Sequence, residues 1–376
     1  MTHGRAVLIT GIDIYELPLH YAHGTYVMSG GRAASVQDST LVRVRTDAGI
    51  SGWGEACPLG ATYLADFAQG VRAALPLLAD AVLGLDPREL GTITTAMDGA
   101  LRGQYAAKSA LDVACWDVLG RSVGLPVCTL LGGRRSQDFP LYVAIPLGSS
   151  EAMTEFAVAA VQDGIAGLQL KLGSDPVADA NRVRAVRDAV GDAVLLVADA
   201  NGGWRRHDAL MAARLLSDVT NVVLEQPCAT LSECVEIRRR VSVPMSLDEV
   251  IVDVPSLAQA SALGAMESIN LKVGRVGGLT RARVIRDLAD ALGLRATIED
   301  TWGGDVVTAT VSHLAASTAP EALVHASFMN DWVSDHVAGR QPRSEHGRGR
   351  APDAPGLGIE VDVEALGAPL QRVGAR

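Results

Sequence analysis

Five charged side chains interrupt apolar segments of the sequence, each near the end of a predicted strand. In chain order they are Lys171, Asp199, Glu225, Asp248 and Lys272. They are spaced by roughly 25 residues, which is the length of one strand, one helix and two short connections. Because a repeated strand–helix unit brings the ends of its strands to one rim, we expect the five side chains to converge on one site.

The three carboxylates in the middle of this series predict a metal site. Converging carboxylates repel one another strongly unless a cation lies between them. Hard oxygen ligands in this number suit Mg²⁺, with water and substrate completing an octahedron. We therefore expect Asp199, Glu225 and Asp248 to hold one Mg²⁺ per active site.

The two lysines flank the carboxylates along the chain. Lys171 ends the second predicted strand and Lys272 the sixth, which would place them across a barrel mouth from each other. Alternation along a strand puts Gln169 and Asn270 on the same inward faces. Lysines on opposite sides of a ligand are suited to acid–base catalysis, and burial beside a dication is expected to lower their pKa.

Each of these charges, taken alone, has a simpler interpretation. An Asp or Glu after a strand commonly caps the next helix, and a lysine there is commonly solvated. Five such charges in five consecutive strand–helix units are much harder to explain in this way. We therefore favour a single catalytic site.

An alternation of short apolar strands and amphipathic helices is predicted to position these residues. The predicted strands begin near Leu141, Leu168, Val194, Val222, Pro244, Ser268, Ala296 and Ala322. Eight parallel strands with seven or eight helices predict an α/β fold of the TIM-barrel type. A doubly wound open sheet is the alternative, although it would not need eight such evenly spaced units.

The two ends of the chain have a different pattern. Residues 7–17 and 40–46 alternate in polarity, which predicts antiparallel strands separated by a long loop over residues 20–39. Residues 66–124 have helical periodicity, so the N-terminal part is predicted to be α+β. Near the C-terminus, residues 355–359 indicate a last short strand.

Composition excludes several classes of function. The 376 residues include 33 basic and 43 acidic side chains, a formal net charge of −10, which argues against a broad nucleic-acid-binding surface. No apolar run approaches the roughly 20 residues of a membrane span. The five cysteines form no CxxC pair and indicate buried thiols in a reducing compartment. We expect a cytoplasmic protein whose partner is neither nucleic acid nor membrane.

At the strand-end residues the sequence resembles the enolase superfamily, in the branch of muconate lactonising enzymes and mandelate racemase. The barrel motifs that carry the resemblance are Gln169-Leu-Lys171, Asp199-Ala-Asn201-Gly202, Leu224-Glu-Gln-Pro227, Leu247-Asp-Glu249 and Leu271-Lys-Val-Gly-Arg-Val-Gly-Gly278. The N-terminal motifs are Gly52-Trp-Gly-Glu55, Ala110-Leu-Asp112-Val-Ala-Cys-Trp116-Asp117 and Leu130-Leu-Gly-Gly133. Together these motifs extend over nearly the whole chain.

The resemblance implies an organisation and a chemistry. It implies a capping domain made of residues 1–132 and 341–376, and a barrel over residues 133–340 that holds the active site. It implies that the three carboxylates bind Mg²⁺, that the two lysines form an opposed acid/base pair, and that the protein is a homo-oligomer. The implied reaction removes the α-proton of a small carboxylate substrate through an ene-diolate.

Two departures narrow the substrate class. Gln169 stands where the family often has a first lysine, and Glu299-Asp300-Thr-Trp302 stands where the mandelate racemase branch keeps a histidine. This combination resembles 2-epimerases that act on hydroxyproline or proline betaines, whereas residues 26–32 resemble cis-3-hydroxy-L-proline dehydratases. Of the two we favour epimerisation or racemisation of a proline-type amino acid or betaine, such as 4-hydroxyproline betaine, with dehydration of cis-3-hydroxy-L-proline as the alternative. The sequence is also compatible with a sugar-acid dehydratase, a dipeptide epimerase or a catalytically inactive binding barrel.

A further set of residues is expected to contact the substrate. The indole of Trp302 could attract a cationic ligand or could only pack the barrel mouth. The capping-loop residue Ser29, together with Glu55 and Tyr63, could help to select the substrate. The predicted substrate contacts are Tyr26, Gln169, Asn201, Glu299, Asp300, Trp302 and Phe328.

Overall fold

The structure is a computed structural model that describes residues 6–374. Its first part contains five strands, namely β1 (Ile9–His20), β2 (Tyr26–Val27), β3 (Ala33–Ala34), β4 (Val36–Thr46) and β5 (Ser51–Ala56). Four helices follow, namely α1 (Ala68–Val82), α2 (Leu90–Ala100), α3 (Tyr105–Val123) and α4 (Val127–Leu130).

The second part alternates strands and helices. Its elements up to the fourth barrel strand are β6 (Phe139–Pro140), β7 (Tyr142–Ile145), α5 (Ser150–Gln162), β8 (Gly167–Lys171), α6 (Pro176–Val190), β9 (Leu195–Asp199), α7 (Arg206–Leu215) and β10 (Val222–Glu225). Next come α8 (Leu231–Arg238), β11 (Met245–Leu247), α9 (Val254–Ala262), β12 (Ser268–Lys272), α10 (Val273–Val276), α11 (Leu279–Ala291), β13 (Arg295–Glu299), α12 (Asp305–Ala316) and β14 (Leu323–Ala326). The chain ends with β15 (Arg348–Gly349), α13 (Val363–Leu366) and β16 (Gln371–Gly374).

Strands β7 to β14 form an eight-stranded parallel sheet in sequential order. A parallel bridge between Leu141 and Ala326 joins its two edges, so the sheet is nearly closed into a barrel. Each of the eight strands begins within one residue of its predicted start. No α-helix follows β14 directly, because the 3₁₀ turn Met329–Trp332 takes that place. The predicted α/β barrel is therefore confirmed, with seven helix-covered units and a final strand.

The cap, as defined here, is the antiparallel sheet of order β16-β1-β4-β5 with helices α1 to α3. The two predicted N-terminal strands are confirmed but are longer than expected, since the pairing of β1 with β4 continues to His20 and Val36. The long loop predicted for residues 20–39 is therefore wrong in extent. The residues between the two strands form the β2–β3 hairpin instead, in which Tyr26 pairs with Ala34.

The last strand lies elsewhere than predicted. Residues 355–359 form a turn, because Gly356 and Gly358 adopt positive φ angles of 73° and 70°, which an extended strand does not accommodate. Gly356 forms only an isolated bridge with Pro126. The C-terminal strand is β16, which pairs antiparallel with β1 of the cap.

Buried acids of the cap join it to the starts of two barrel helices. Asp112 of α3 accepts hydrogen bonds from the backbone N–H of Thr280 at 3.0 Å and from its hydroxyl at 2.5 Å, in the first turn of α11. Glu55 of β5 accepts from the N–H groups of Gly304 and Val307 at 2.8 and 3.0 Å, where α12 begins. Carboxylates are favourable at helix N-termini because free N–H groups and the helix dipole face them.

Within residues 6–374, none of the helices combines the length and the apolar composition needed to cross a lipid bilayer.

The Asp112 contact predicts a pH-dependent stability. Burial raises the pKa of Asp112 to about 6, although the hydrogen bonds from Thr280 oppose this rise. Between about pH 4 and 6 the folded protein therefore binds this proton more tightly than the unfolded chain, so the group's contribution to stability falls as pH rises. As the pH rises through this window, the free energy of unfolding of Asp112→Asn should therefore increase relative to that of wild type, by up to about 2–3 kcal/mol. Urea unfolding at several pH values measures the difference, and parallel pH profiles would contradict it.

Candidate active site

The C-terminal ends of five successive strands bring the predicted charged residues together. Lys171, Asp199, Glu225 and Lys272 are the last residues of β8, β9, β10 and β12, and Asp248 directly follows β11. The strand register pairs Lys171 with Asp199 and Asp199 with Glu225. All five side chains are buried, with at most 5% of any residue exposed.

Each lysine pairs with the carboxylate of a neighbouring strand. The Nζ atom of Lys171 lies 2.5 Å from Oδ2 of Asp199, and that of Lys272 lies 2.8 Å from Oδ2 of Asp248. Burial disfavours the Lys171 ammonium, but the charges of nearby carboxylates, Asp199 foremost and also Glu225, outweigh burial and raise its pKa. The predicted lowering is thus not found for Lys171, because a carboxylate contacts its ammonium directly.

Glu225 occupies the middle of the site and receives amide donors. The side-chain amide of Gln169 donates to both of its oxygens, at 3.1 and 3.0 Å, and that of Asn270 donates at 2.6 Å. Burial, followed by the charges of Asp199 and Asp248, raises the pKa of Glu225 well above its ordinary value. The centre of the site therefore holds more negative charge than the nearby lysines compensate.

The closest group of carboxylates differs from the predicted trio. One oxygen each of Glu225, Asp248 and Glu299 lie within 4.8 Å of one another. Asp199 is not in this group; its Oδ2 pairs with Lys171 and its Oδ1 accepts from the backbone N–H of Asn201. Buried carboxylate oxygens fit Mg²⁺, and Glu225 at their centre is held by neutral amides only, so the residues present suit the predicted metal.

Arg275 is an important residue of the site that was not predicted. Its guanidinium donates to Oδ1 of Asp248 at 2.6 Å, to the carbonyl of Ile251 at 3.1 Å and to that of Asn270 at 2.8 Å. Burial would raise the pKa of Asp248, but Arg275 and Lys272 outweigh it and hold that pKa below its ordinary value. Arg275 lies in the α10 turn beyond its strand, so strand alternation could not reveal its orientation.

Two tyrosines also reach the carboxylates. Tyr142 of β7 donates a hydrogen bond to Oε2 of Glu299. Tyr63, between β5 and α1, donates to Glu249 at 2.7 Å and lies 3.2 Å from Asp248. Tyr63 was predicted as a substrate selector, and the role of Tyr142 had no sequence signal beyond its place on an inward strand face.

A small cavity of about 20 Å³ lies between the two lysines. Its lining includes six of the seven predicted substrate contacts, namely Tyr26, Gln169, Asn201, Glu299, Asp300 and Trp302. Phe328 is not among them. Its ring packs on Phe139 with centroids 6.0 Å apart, and it lines a separate cavity of about 700 Å³ on the flank of the barrel.

Aromatic rings form one wall of this small cavity. Trp302 is 1% exposed and meets Tyr26, Trp332 and Tyr21 edge to face, with centroids 4.9, 5.6 and 5.7 Å apart. Both sequence interpretations of Trp302 are therefore compatible, since the indole packs the barrel mouth and also lines the cavity. Such a wall is suited to the apolar ring or the ammonium group of a small substrate.

Of the other predicted selectors, Glu55 and Ser29 do not line this cavity. Glu55 accepts hydrogen bonds at the start of α12, and Ser29, in the turn between β2 and β3, is fully buried. Close behind the site, Asp179 connects the loops that follow Lys171 and Asp199. It accepts from the N–H of Gly173 at 3.1 Å and from the indole of Trp204 at 3.1 Å.

Two family models and several known proteins match this chain. The family model described as Mandelate racemase / muconate lactonizing enzyme, N-terminal domain matches residues 17–132, and the model Enolase C-terminal domain-like matches residues 152–366. The chain is 44% identical over 364 residues to the cis-3-hydroxy-L-proline dehydratase of Roseibium aggregatum, an alignment covering 97% of this chain and 99% of that protein. It is 27% identical over 365 residues to an N-succinyl-L-Arg/Lys racemase of Bacillus cereus, covering 95% and 96%.

A solved structure shows the same fold. It is that of an enolase superfamily member from Roseovarius nubinhibens ISM complexed with magnesium. The two chains superimpose with a TM-score of 0.93 at 35% identity, over 98% of this chain and 100% of the other.

Removing the Arg275 guanidinium should destabilise the protein strongly. Arg275→Met leaves one oxygen of buried Asp248 and two backbone carbonyls without this donor, which should cost about 3–5 kcal/mol in the free energy of unfolding. Arg206→Met removes the exposed partner of Glu236 and is the matched control, for which we expect little change. Urea unfolding of both variants measures the costs. Equal losses would show that the Arg275 contacts do not stabilise the site.

Proposed function

The chain belongs to the mandelate racemase / muconate lactonizing enzyme family of the enolase superfamily, and we propose that it removes the α-proton of a small amino-acid carboxylate. The reaction we favour is the dehydration of cis-3-hydroxyproline. The observation that carries the proposal is the pair of buried lysines, Lys171 on β8 and Lys272 on β12, which lie four strands apart in an eight-stranded barrel and line one cavity.

The two opposed lysines have different roles in proton transfer. One lysine in its neutral form accepts the α-proton, while the other, as an ammonium, faces the opposite side of the substrate. In a dehydration, the electrons of the broken Cα–H bond form a Cα=Cβ double bond. The β-hydroxyl then takes up a proton from an acid of the site and leaves as water. The carbon that loses the proton must lie between Lys171 and Lys272.

Asp199, Glu225 and Asp248 are proposed to hold one Mg²⁺, with Glu299 beside them. When bound, the ion would supply positive charge against the negative charge that develops on the substrate carboxylate. Asn270 and Gln169 orient Glu225, and Arg275 orients Asp248, so the ligand oxygens are held by donors behind them.

The aromatic wall and the likeness to a relative support a substrate class. Aromatic rings pack well against a ring, and an indole face attracts an ammonium group by about 0.5–2 kcal/mol. The relative that is 44% identical carries the name of a dehydratase of cis-3-hydroxy-L-proline. These observations support a cyclic amino acid with its carboxylate towards the metal ligands and its nitrogen towards Trp302.

Epimerisation at the α-carbon is the second candidate. It needs a base on one face of the α-carbon and a proton donor on the other, which the two lysines can supply, and a racemase is among the relatives. Its substrate would be a proline-type amino acid or betaine, such as 4-hydroxyproline betaine. The same residues would act, and only the fate of the carbanion differs: it is reprotonated instead of expelling a hydroxyl.

Incubation with Mg²⁺ in D₂O, followed by NMR, tests the reaction. We expect cis-3-hydroxy-L-proline to lose water, whereas deuterium at the α-carbon of L- and D-proline or of 4-hydroxyproline betaine would favour epimerisation. Lys171→Ala and Lys272→Ala should each lower turnover at least about 100-fold, because general acid–base catalysis contributes about 10²–10⁴-fold. Lys108→Ala, at the one lysine of the chain outside the site, is the control. Full turnover in both site variants would refute the assignment, and an inactive wild type would refute the function.

Measurements of metal affinity distinguish the predicted ligands from the neighbouring carboxylate of Glu299. Asp199→Asn, Glu225→Gln and Asp248→Asn should each weaken Mg²⁺ binding at least about tenfold, whereas Glu299→Gln should change it less than about threefold. Isothermal titration calorimetry with Mg²⁺ alone measures the affinities, and the exposed Asp218→Asn is the control. If Glu299→Gln weakened binding more than Asp199→Asn, the carboxylates grouped within 4.8 Å would be the ligands instead.

A further inference from the structure

Two tyrosines outside the barrel reach its lysines. Tyr63 lies between β5 and α1, and its hydroxyl oxygen is 3.3 Å from Nζ of Lys272. The same ammonium lies 5.5 Å from the centroid of the Tyr63 ring. Tyr26 belongs to β2 and lines the same cavity as the other lysine, Lys171, whose charge acts on its phenol. Both tyrosines line the small cavity between the lysines.

The hydrogen-bond directions at Tyr63 are set by its neighbours. A phenol has one O–H to donate, and the nearest acceptor is Oε1 of Glu249 at 2.7 Å. An ammonium can only donate, so Lys272 donates to the phenol oxygen. Glu249 is itself held by the amide of Asn201, which donates to it at 3.1 Å. Tyr63 therefore presents a fixed acceptor to Lys272.

Tyr26 is fixed by packing. Its ring meets Trp302 at 4.9 Å and Tyr21 at 5.5 Å between centroids, both edge to face, and the residue is 4% exposed. Burial raises the pKa of Tyr26 to about 12, and Lys171 opposes that rise, as a cation close to the phenol must. The phenol therefore stays protonated at neutral pH and remains a neutral neighbour of the Lys171 ammonium.

We propose that Tyr26 and Tyr63 are positioning residues, one for each lysine, which hold the two ammonium groups on opposite sides of the substrate carbon. The role in proton transfer rests on the proposed function. A lysine side chain has four rotatable bonds, and several carboxylate oxygens in this site compete for each ammonium. A fixed phenol at each end selects one orientation, and misplacement of a catalytic group by about 1 Å can cost a factor of about 100 in rate.

The small number of lysines makes the positioning measurable without turnover. The chain contains three lysines, at positions 108, 171 and 272, and all are buried. Reductive methylation with ¹³C-formaldehyde and cyanoborohydride, read by peptide mass spectrometry, reports how readily each lysine becomes available to the reagent as a free amine. Tyr63→Phe should raise the rate at Lys272 about tenfold, the effect of one lost hydrogen bond, with Lys171 and Lys108 unchanged. Tyr26→Phe should do the same at Lys171.

A matched control variant, and a comparison of the methylation rates of the three lysines, show whether the effect is specific. Tyr15→Phe removes the hydroxyl of a buried cap tyrosine that packs on Trp53, outside the small cavity, and should change none of the three rates. If Tyr63→Phe left Lys272 unchanged, or raised all three lysines together, the positioning role would be overturned. The second outcome would indicate general loosening of the cap.

Hydrogen exchange then separates this inference from the proposed function. With Mg²⁺ and L- or D-proline in D₂O, Tyr63→Phe should slow exchange of the enantiomer whose α-proton faces Lys272 about tenfold or more, and the other enantiomer less than about threefold. Tyr26→Phe should show the opposite preference. Absence of exchange and of dehydration by wild type would count against the proposed function alone. Equal slowing of both enantiomers by each variant would count against the tyrosine roles alone.

Discussion

Burial of several carboxylates in one barrel mouth is the constraint on which the rest of the site depends. A buried carboxylate stays ionised only where cations or hydrogen-bond donors stand close to it. The flanking residues Asp199 and Asp248 are each paired with a cation, whereas the central Glu225 receives amide donors from Gln169 and Asn270. Neutral donors stabilise a charge less than cations do, so the centre is the place where further positive charge is most favourable.

The barrel determines where these charges can stand. Parallel strands in register bring their last residues to the same rim, which places Lys171 beside Asp199 and Asp199 beside Glu225. Moving a strand by one residue would turn its functional side chain away from the interior. The apolar residues that alternate with the charged ones therefore stabilise the fold and also set the geometry of the site.

These regularities explain how much could be predicted from the sequence. The strand starts and the family resemblance are confirmed, and the strand ends bring the five charged residues together. Each of these predictions depends on local periodicity or on motifs within one strand. Contacts between distant segments were not predictable. Arg275 acts from a turn, and Phe328 packs on Phe139 instead of facing the cavity. The scarcity of lysine is a signal that could have been used, since two of only three lysines lie in the site.

The cap and the barrel contribute different residues to the surroundings of the cavity. The cap is anchored by Asp112 and Glu55 to the first turns of two barrel helices, so its position relative to the strand ends is defined by direct hydrogen bonds. Tyr26 of β2 and Tyr63, which precedes α1, approach the cavity from outside the barrel. These segments contribute none of the strand-end charges, so substitutions there change the surroundings of the lysines without removing an acid or a lysine of the site. A single arrangement of acids and lysines is thus compatible with dehydration or epimerisation, which differ in the fate of the carbanion and not in the residues that form it.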